Sequence, residues 1–135
     1  MLTGGCHCGA IRYTTSDQAI HHALCHCEDC RKSSGAPAVA WALAPADQVT
    51  ISGDPVWYRS SEHGRRGFCG QCGTGLFYTN DEIFKGQIDI QSATLDNPDA
   101  IALQGQIQIA ERIGWMADLD ALPAFDRYPE PPSAP

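Results

Sequence analysis

The sequence predicts a mainly β domain with little helix, and two observations carry that prediction. Apolar and polar residues alternate with a period of two through most of the chain, in short runs separated by Gly, Pro, Asn and Asp. Seven cysteines fall into three clusters with none left over: Cys6-His7-Cys8, Cys25-His26-Cys27-Glu28-Asp29-Cys30 and Cys69-Gly70-Gln71-Cys72.

Residues 10–15 and 20–24 read as the first strands. A short helical turn then opens at Cys27-Glu28-Asp29-Cys30-Arg31-Lys32, where two acids precede two bases as the helix dipole prefers, and Gly35-Ala36-Pro37 ends it. In the next strand Val39, Trp41 and Leu43 share one face and Ala38, Ala40 and Ala42 the other, which suits a central strand with large residues on its core side and a tight back. Further strands are expected at 49–52, 56–60, 65–68, 75–79, 83–90 and 103–109. In the last of these, Gln104, Gln106 and Gln108 alternate with Leu103, Ile107 and Ile109, predicting one polar and one dry face, with Gly105 interrupting. Asp96-Asn97-Pro98-Asp99 starts another single turn. Prolines 129, 131, 132 and 135 bar regular structure at the end, so a single domain over 1–128 is followed by a Pro-rich tail over 129–135.

A chain of 135 residues lies in the size range of one domain, and 43% hydrophobic with 19% charged residues is ordinary globular composition. The first residues, Met-Leu-Thr-Gly-Gly-Cys-His-Cys, show no basic leader with an apolar core, and no apolar run approaches the ~20 residues that span a bilayer. The expected setting is the cytoplasm, without a membrane. A net charge of −7 opposes attraction to phosphate backbones, so nucleic acid is not an expected partner; Arg65-Arg66 is too short a basic cluster to reverse this and reads equally well as a solvated strand surface.

An odd cysteine count without an export signal argues against a disulfide framework, since a reducing cytosol keeps thiols free. Metal becomes the leading account. Two thiolates one or two residues apart can reach one ion from a tight turn, but a closed tetrahedral zinc site needs four ligands. The first and third clusters both end in Cys-Gly, at Cys8-Gly9 and Cys72-Gly73, and run straight into a predicted strand. Glycine there permits positive φ and lets backbone N–H groups approach the sulfurs. Pairing these clusters gives a structural zinc site of Cys6, Cys8, Cys69 and Cys72. A redox pair would need no second cluster with matching Cys-Gly chemistry.

The middle cluster lacks that glycine and offers three thiolates, Cys25, Cys27 and Cys30. Three protein ligands leave a coordination position open, as catalytic zinc sites do for water or substrate, and a thiol bound there is held as thiolate near neutral pH. Three alternatives stand beside this one: His26 or a distant residue completes a second structural site, the cysteines bind nothing, or the metal is weakly held. In an extended stretch the His26 ring points away from Cys25 and Cys27, and His7 is set aside on the same ground. His21, His22 and His63 read as surface or core histidines.

The order Gly5-Cys6-His7-Cys8-Gly9, then Cys25-His26-Cys27 to Cys30-Arg31-Lys32-Ser33-Ser34-Gly35, then Arg66-Gly67-Phe68-Cys69 to Cys72-Gly73 resembles the glutathione-dependent formaldehyde-activating enzyme family, which includes relatives of centromere protein V. The resemblance spans roughly Gly4 to Pro129, including Ser60-Ser61, Trp115 and Leu122-Pro123. It implies a β-tent fold of packed antiparallel sheets, a four-cysteine structural zinc, and a catalytic zinc on Cys25, Cys27 and Cys30. It further implies a carbon–sulfur lyase that forms or cleaves S-hydroxymethylglutathione, or a related thiol–aldehyde adduct, with glutathione as co-substrate and a small-molecule thiol and aldehyde as partners. Arg31, Lys32 and Arg66 could meet glutathione carboxylates, and Ser33, Ser34 and Gly35 form a rim. One departure concerns a histidine about nine residues before the tryptophan, whose place falls on Gln106. Either the chemistry is altered here, or that position serves packing and hydrogen bonding that glutamine can supply. A non-catalytic glutathione or thiol carrier and a zinc-stapled interaction module are the alternative functions for the same residues.

Overall fold

The period-two runs become ten strands and one short helix in a computed structural model, which describes residues 1–19 and 21–130. The strands are β1 (Leu2–Gly5), β2 (Arg12–Thr15), β3 (His21–Cys25), β4 (Val39–Pro45), β5 (Thr50–Ser52), β6 (Val56–Arg59), β7 (Gly64–Phe68), β8 (Gly75–Asn80), β9 (Gln87–Gln91) and β10 (Gly105–Ile107); the helix α1 is Glu28–Ser34. Strands β1-β2-β5 form a three-stranded sheet, and β10-β3-β4-β9-β8-β7-β6 a seven-stranded one in which β4 lies inside, as its composition predicts. The mainly β fold of packed sheets with little helix is therefore present. One pairing departs from the antiparallel pattern: β10 runs parallel to β3. Among the described residues no helix is long and apolar enough to cross a membrane.

Directly opposed residues on neighbouring strands share a sheet face. His21, Leu43, Asp89, Tyr78 and Arg66 form one such row across β3, β4, β9, β8 and β7. Val39 and Trp41 lie on the same face by alternation, and Cys25 is opposite Val39. That side collects a small core of Cys25, Cys30, Val39 and Trp41, joined by Cys27 and Tyr78. On the reverse side Ala42 and Ala44 are opposite Ile90 and Ile88, and the small alanines leave β4 a tight back. Ile88, Ile90 and Phe77 there join the main core with Ile11, Tyr13, Leu95, Cys6 and Cys69. Tyr13 meets Phe77 edge-on at 5.5 Å between centroids, an arrangement favoured by the ring quadrupoles. The large sheet thus has one face against the small sheet and the other facing the middle cysteines.

Helix α1 begins and ends as its sequence predicts. Cys27 caps it, its sulfur accepting from Cys30 N–H at 3.3 Å, and Gly35 closes it in the left-handed region with its N–H bonded to Arg31 C=O at 2.8 Å. The expected turn near 96–99 is a 3-10 turn over Pro98–Ala100, capped by Asn97 Oδ1 accepting from Asp99 N–H.

Three expectations are corrected. The strand expected at 83–90 begins only at Gln87, because Asn80 Oδ1 accepts from the N–H groups of Glu82 and Ile83, both at 3.0 Å, and turns the chain before Gly86 releases it. The strand expected at 103–109 is reduced to β10 and has no dry face: Leu103, Ile107 and Ile109 are exposed, since β10 is an edge strand with nothing laid over it. The glutamines are exposed as well, yet two of them bond to β3 and the residue that follows it, Gln104 Oε1 accepting from His22 N–H and Gln106 Oε1 from His26 Nε2, both at 2.8 Å. Strand β1, through Thr3-Gly4-Gly5, has no counterpart among the expected strands. Ile20, and residues 131–135 of the expected tail, lie outside the described residues.

Candidate metal centres and active site

The first and third cysteine clusters form matching turns. Cys6 N–H bonds to Ile11 C=O and Gly9 N–H to Cys6 C=O; Cys69 N–H bonds to Thr74 C=O and Gly73 N–H to Cys69 C=O. Gly9 and Gly73 both have φ of 82°, the backbone their Cys-Gly sequences require. Nothing lies within 4 Å of a Cβ built on Gly73, so Gly73→Ala is expected to cost only backbone strain, about 1–2 kcal/mol. Urea denaturation checks this: a lowered midpoint is expected, and an unchanged one would show that the turn does not need the left-handed conformation.

These turns bring Cys6, Cys8, Cys69 and Cys72 together, their sulfurs all within 4.8 Å of one another. Cys6 and Cys8 sulfurs are 3.6 Å apart, and Cys8 and Cys69 3.7 Å. Tetrahedral zinc with Zn–S near 2.3 Å requires about 3.8 Å between sulfurs, so the set fits that ion. Ile11 N–H points at Cys6 sulfur, and the N–H groups of Gln71 and Cys72 at Cys69 sulfur, which offsets thiolate charge. Thr74 Oγ1 joins the two turns, accepting from His7 N–H at 3.1 Å and standing 3.2 Å from Cys72 sulfur. Hydrogen bonds from Thr74 hold the Cys72 thiol down to about 5.

The second set gathers Cys25 from the end of β3, Cys27 from the cap of α1 and Cys30 from its first turn. Cys25 and Cys30 sulfurs are 3.5 Å apart, and three mutually close thiolates fit three corners of a tetrahedron. Donors converge on Cys30: Trp41 Nε1–H at 3.4 Å and both terminal nitrogens of Arg66 at 3.9 Å. Hydrogen bonding from Cys25 leads the causes that hold the Cys30 thiol down to about 5, while the same bond and burial push Cys25 well up. Arg66 lies over the Tyr78 ring at 5.0 Å, a cation–π contact that fixes its head beside the cluster.

The cluster opens into a cavity of about 350 Å³ whose walls include Trp41, Tyr78, Asp89, Arg66 and Ile107. A second cavity of about 440 Å³ shares Arg66 and extends past Ser33, Tyr58 and Gln91. Of the candidate substrate contacts, Arg66 stands on both cavities. Arg31 and Lys32 line a separate depression with Trp115, because a helix that turns Cys30 toward the sheet turns the next residues away. Ser34 is half-buried with its hydroxyl unpaired and lines neither cavity. Asp89, which pattern reading passes over, is 5% exposed in the cavity wall; burial and then the Cys30 charge raise its carboxyl to about 7.

The histidines have other work. His26 Nε2 donates to Gln106 Oε1 at 2.8 Å, turned from the neighbouring cysteines as expected. His22 Nδ1 donates to Ala102 C=O, and its Nε2 meets Ser92 Oγ at 2.7 Å. Gln106 thus ties β10 to the residue that follows β3 through a buried ring and does not line the cavity.

Fold and sites define a mainly β protein with one closed and one open thiolate set, each suited to a metal ion. The profile of the glutathione-dependent formaldehyde-activating enzyme family matches residues 1–111, and the chain belongs to that family. The match stops short of Trp115 and Leu122-Pro123, to which the sequence resemblance extends. An uncharacterized lyase of Schizosaccharomyces pombe is 32% identical over 110 residues, covering 71% of this chain and 80% of the yeast protein. A Halomonas elongata protein named for glutathione-dependent formaldehyde activation is 31% identical over 86 residues, 57% of this chain and 55% of that one. A Rhodobacter sphaeroides crystal structure shares the fold with a TM-score of 0.62 at 18% identity, over 78% of this chain and 99% of its own.

Proposed function

We propose that the protein is a zinc-dependent carbon–sulfur lyase that forms or cleaves S-hydroxymethylglutathione or a closely related thiol–aldehyde adduct. The observation that carries this reading is the incomplete ligand set: Cys25, Cys27 and Cys30 offer three sulfurs to a cavity, in a chain of this family. Zinc held there supplies a Lewis-acidic position that keeps an incoming thiol ionised near neutral pH. Trp41 and Tyr78 form apolar walls around that position and limit water, which strengthens each charge interaction inside.

Arg66 supplies the positive charge. Its guanidinium is fixed over Tyr78 at the junction of the two cavities, and its terminal nitrogens approach Cys30 sulfur only to 3.9 Å, so they keep hydrogens for a substrate carboxylate. The larger cavity beyond it gives room for the rest of a tripeptide whose sulfur lies at the cysteines. Cys6, Cys8, Cys69 and Cys72 hold the second zinc as a staple between the sheets. A reducing cytoplasm, with free thiols and small aldehydes, is the setting that suits these sites.

The test uses zinc-loaded protein with glutathione and formaldehyde, following adduct formation and breakdown by NMR exchange. Saturable acceleration over matched buffer is expected. Exchange at the buffer rate contradicts the reading, and saturable glutathione binding without acceleration would assign a carrier instead.

A further inference from the structure

The cavity beside the open cysteine set contains a carboxyl group that the fold does not use. Asp89 lies in the middle of β9, between Leu43 of β4 and Tyr78 of β8, with apolar Ile88 and Ile90 on either side in sequence. Its side chain lines the cavity with Cys25, Cys30 and Arg66 and is 5% exposed, yet Oδ1 is buried without a hydrogen-bond partner. Among the described residues it makes no salt bridge, although Arg66 stands on the same wall. A buried, unpartnered carboxyl destabilises a strand that any apolar residue would suit better. It stands instead in the wall of the cavity that a ligand of the cysteines would fill.

Resting on the lyase reading above, we propose that Asp89 carries the proton of the thiol–aldehyde reaction, taking it from the entering thiol and delivering it to the aldehyde oxygen. In the synthetic direction the carboxylate removes the thiol proton. The sulfur lone pair then forms the carbon–sulfur bond, the carbonyl π pair moves to oxygen, and the same proton passes from Asp89 to that oxygen. RSH and an aldehyde R′CHO give RSCH(OH)R′ with Asp89 unchanged, and cleavage runs the same steps in reverse. No oxidant, reductant or further reactant is needed.

The other groups on this cavity suit the task less well. Arg66 does not give up its proton in proteins, and the three cysteines are the ligand set. The Tyr78 hydroxyl accepts from Asn80 Nδ2 at 3.0 Å, and a neutral phenol is a poor base for a thiol proton. His21 lies two strands from Asp89, across Leu43, farther from the Arg66 and Tyr78 end of the row. Asp29 is exposed on the first turn of α1.

Asp89→Asn in the zinc-loaded protein tests the assignment. Metal content and glutathione affinity are expected to stay at wild-type values while kcat falls by roughly 100-fold, the scale of positioned acid–base assistance, and Asp89→Glu to recover part of that rate. The wild-type rate is expected to fall in deuterium oxide, and the residual rate of the Asn variant to be insensitive to it. An unchanged kcat overturns the inference, as does loss of metal or glutathione binding in parallel with rate, which would make Asp89 structural. If the Asn variant does not fold, the wild-type isotope effect decides, and its absence overturns the inference. A wild-type protein that accelerates nothing overturns the lyase reading together with the inference; an active wild type matched by an equally active Asn variant removes the inference alone.

Discussion

Cys69→Ser is expected to leave the chain unable to fold stably near neutral pH. Cys69 is 1% exposed, packed in the main core, and its sulfur receives the N–H groups of Gln71 and Cys72. It also spans the longest sequence gap in the site, since the other half of the ligand set, Cys6 and Cys8, belongs to the amino-terminal sheet. A structural zinc site contributes on the order of 10–16 kcal/mol of apparent binding free energy near neutral pH. Whole-domain stability is about 5–15 kcal/mol, so losing most of that term exceeds what the sheets retain. Zinc content and a thermal melt by circular dichroism check this. A cooperative melt close to the wild-type midpoint, with metal lost, would mean that the sheets stand without the staple.

Cys30→Ser is expected to separate chemistry from folding. The main core lies on the opposite face of the large sheet, and Cys30 belongs to the smaller cluster with Cys25, Val39 and Trp41. Serine is near in size but a weak ligand for zinc, and Trp41 Nε1–H and Arg66 lose the sulfur they share. The expected outcome is a folded protein destabilised by about 1–3 kcal/mol, with one metal fewer per chain and adduct turnover reduced to the buffer rate. Metal analysis, denaturant titration and NMR exchange on one preparation read all three. Unfolding comparable to that of Cys69→Ser would make the second cluster structural as well.

The contrast between these variants follows from features that could be read in the chain. Cys8-Gly9 and Cys72-Gly73 announce left-handed turns, and both glycines adopt them with the same φ of 82°. The acids and bases of α1, the Gly35 stop and the large-and-small faces of β4 are local signals, and local signals survive folding when tertiary contacts agree with them. Strand β1 is illegible for the opposite reason. Two of its four residues are glycines with no side chains to alternate, and only the folded protein shows that a Cβ on Gly4 would run into the Tyr13 ring. The end of β8 misleads because the Asn80 side chain, 9% exposed, organises a turn through a segment whose apolar content suggests strand. Residues 103–109 mislead because alternation reports two unlike faces, whereas along this edge strand both sets of residues are exposed and neither face is dry.

Asp89 marks the limit for the site. In Gln87-Ile88-Asp89-Ile90-Gln91 the acid alternates with isoleucines and reads as the wet side of a half-buried strand. The acid sits beside the small core of that face, in the wall of a cavity completed by α1 and β7, and no local pattern contains that information. Arg66 is legible as a positive charge near the third cluster, whereas Arg31 and Lys32, adjacent to Cys30 in sequence, are carried to another surface by the helical turn.

We infer that Cys25, Cys27 and Cys30 form an open ligand set that receives the sulfur of glutathione. X-ray absorption at the zinc edge, on protein loaded with two zinc ions and titrated with glutathione, tests it most directly. The predicted result is one all-sulfur site unaffected by the thiol and a second whose single oxygen or nitrogen neighbour is replaced by sulfur as glutathione is added, a change absent in Cys30→Ser. Spectra that do not respond to glutathione, with both sites filled, would contradict it.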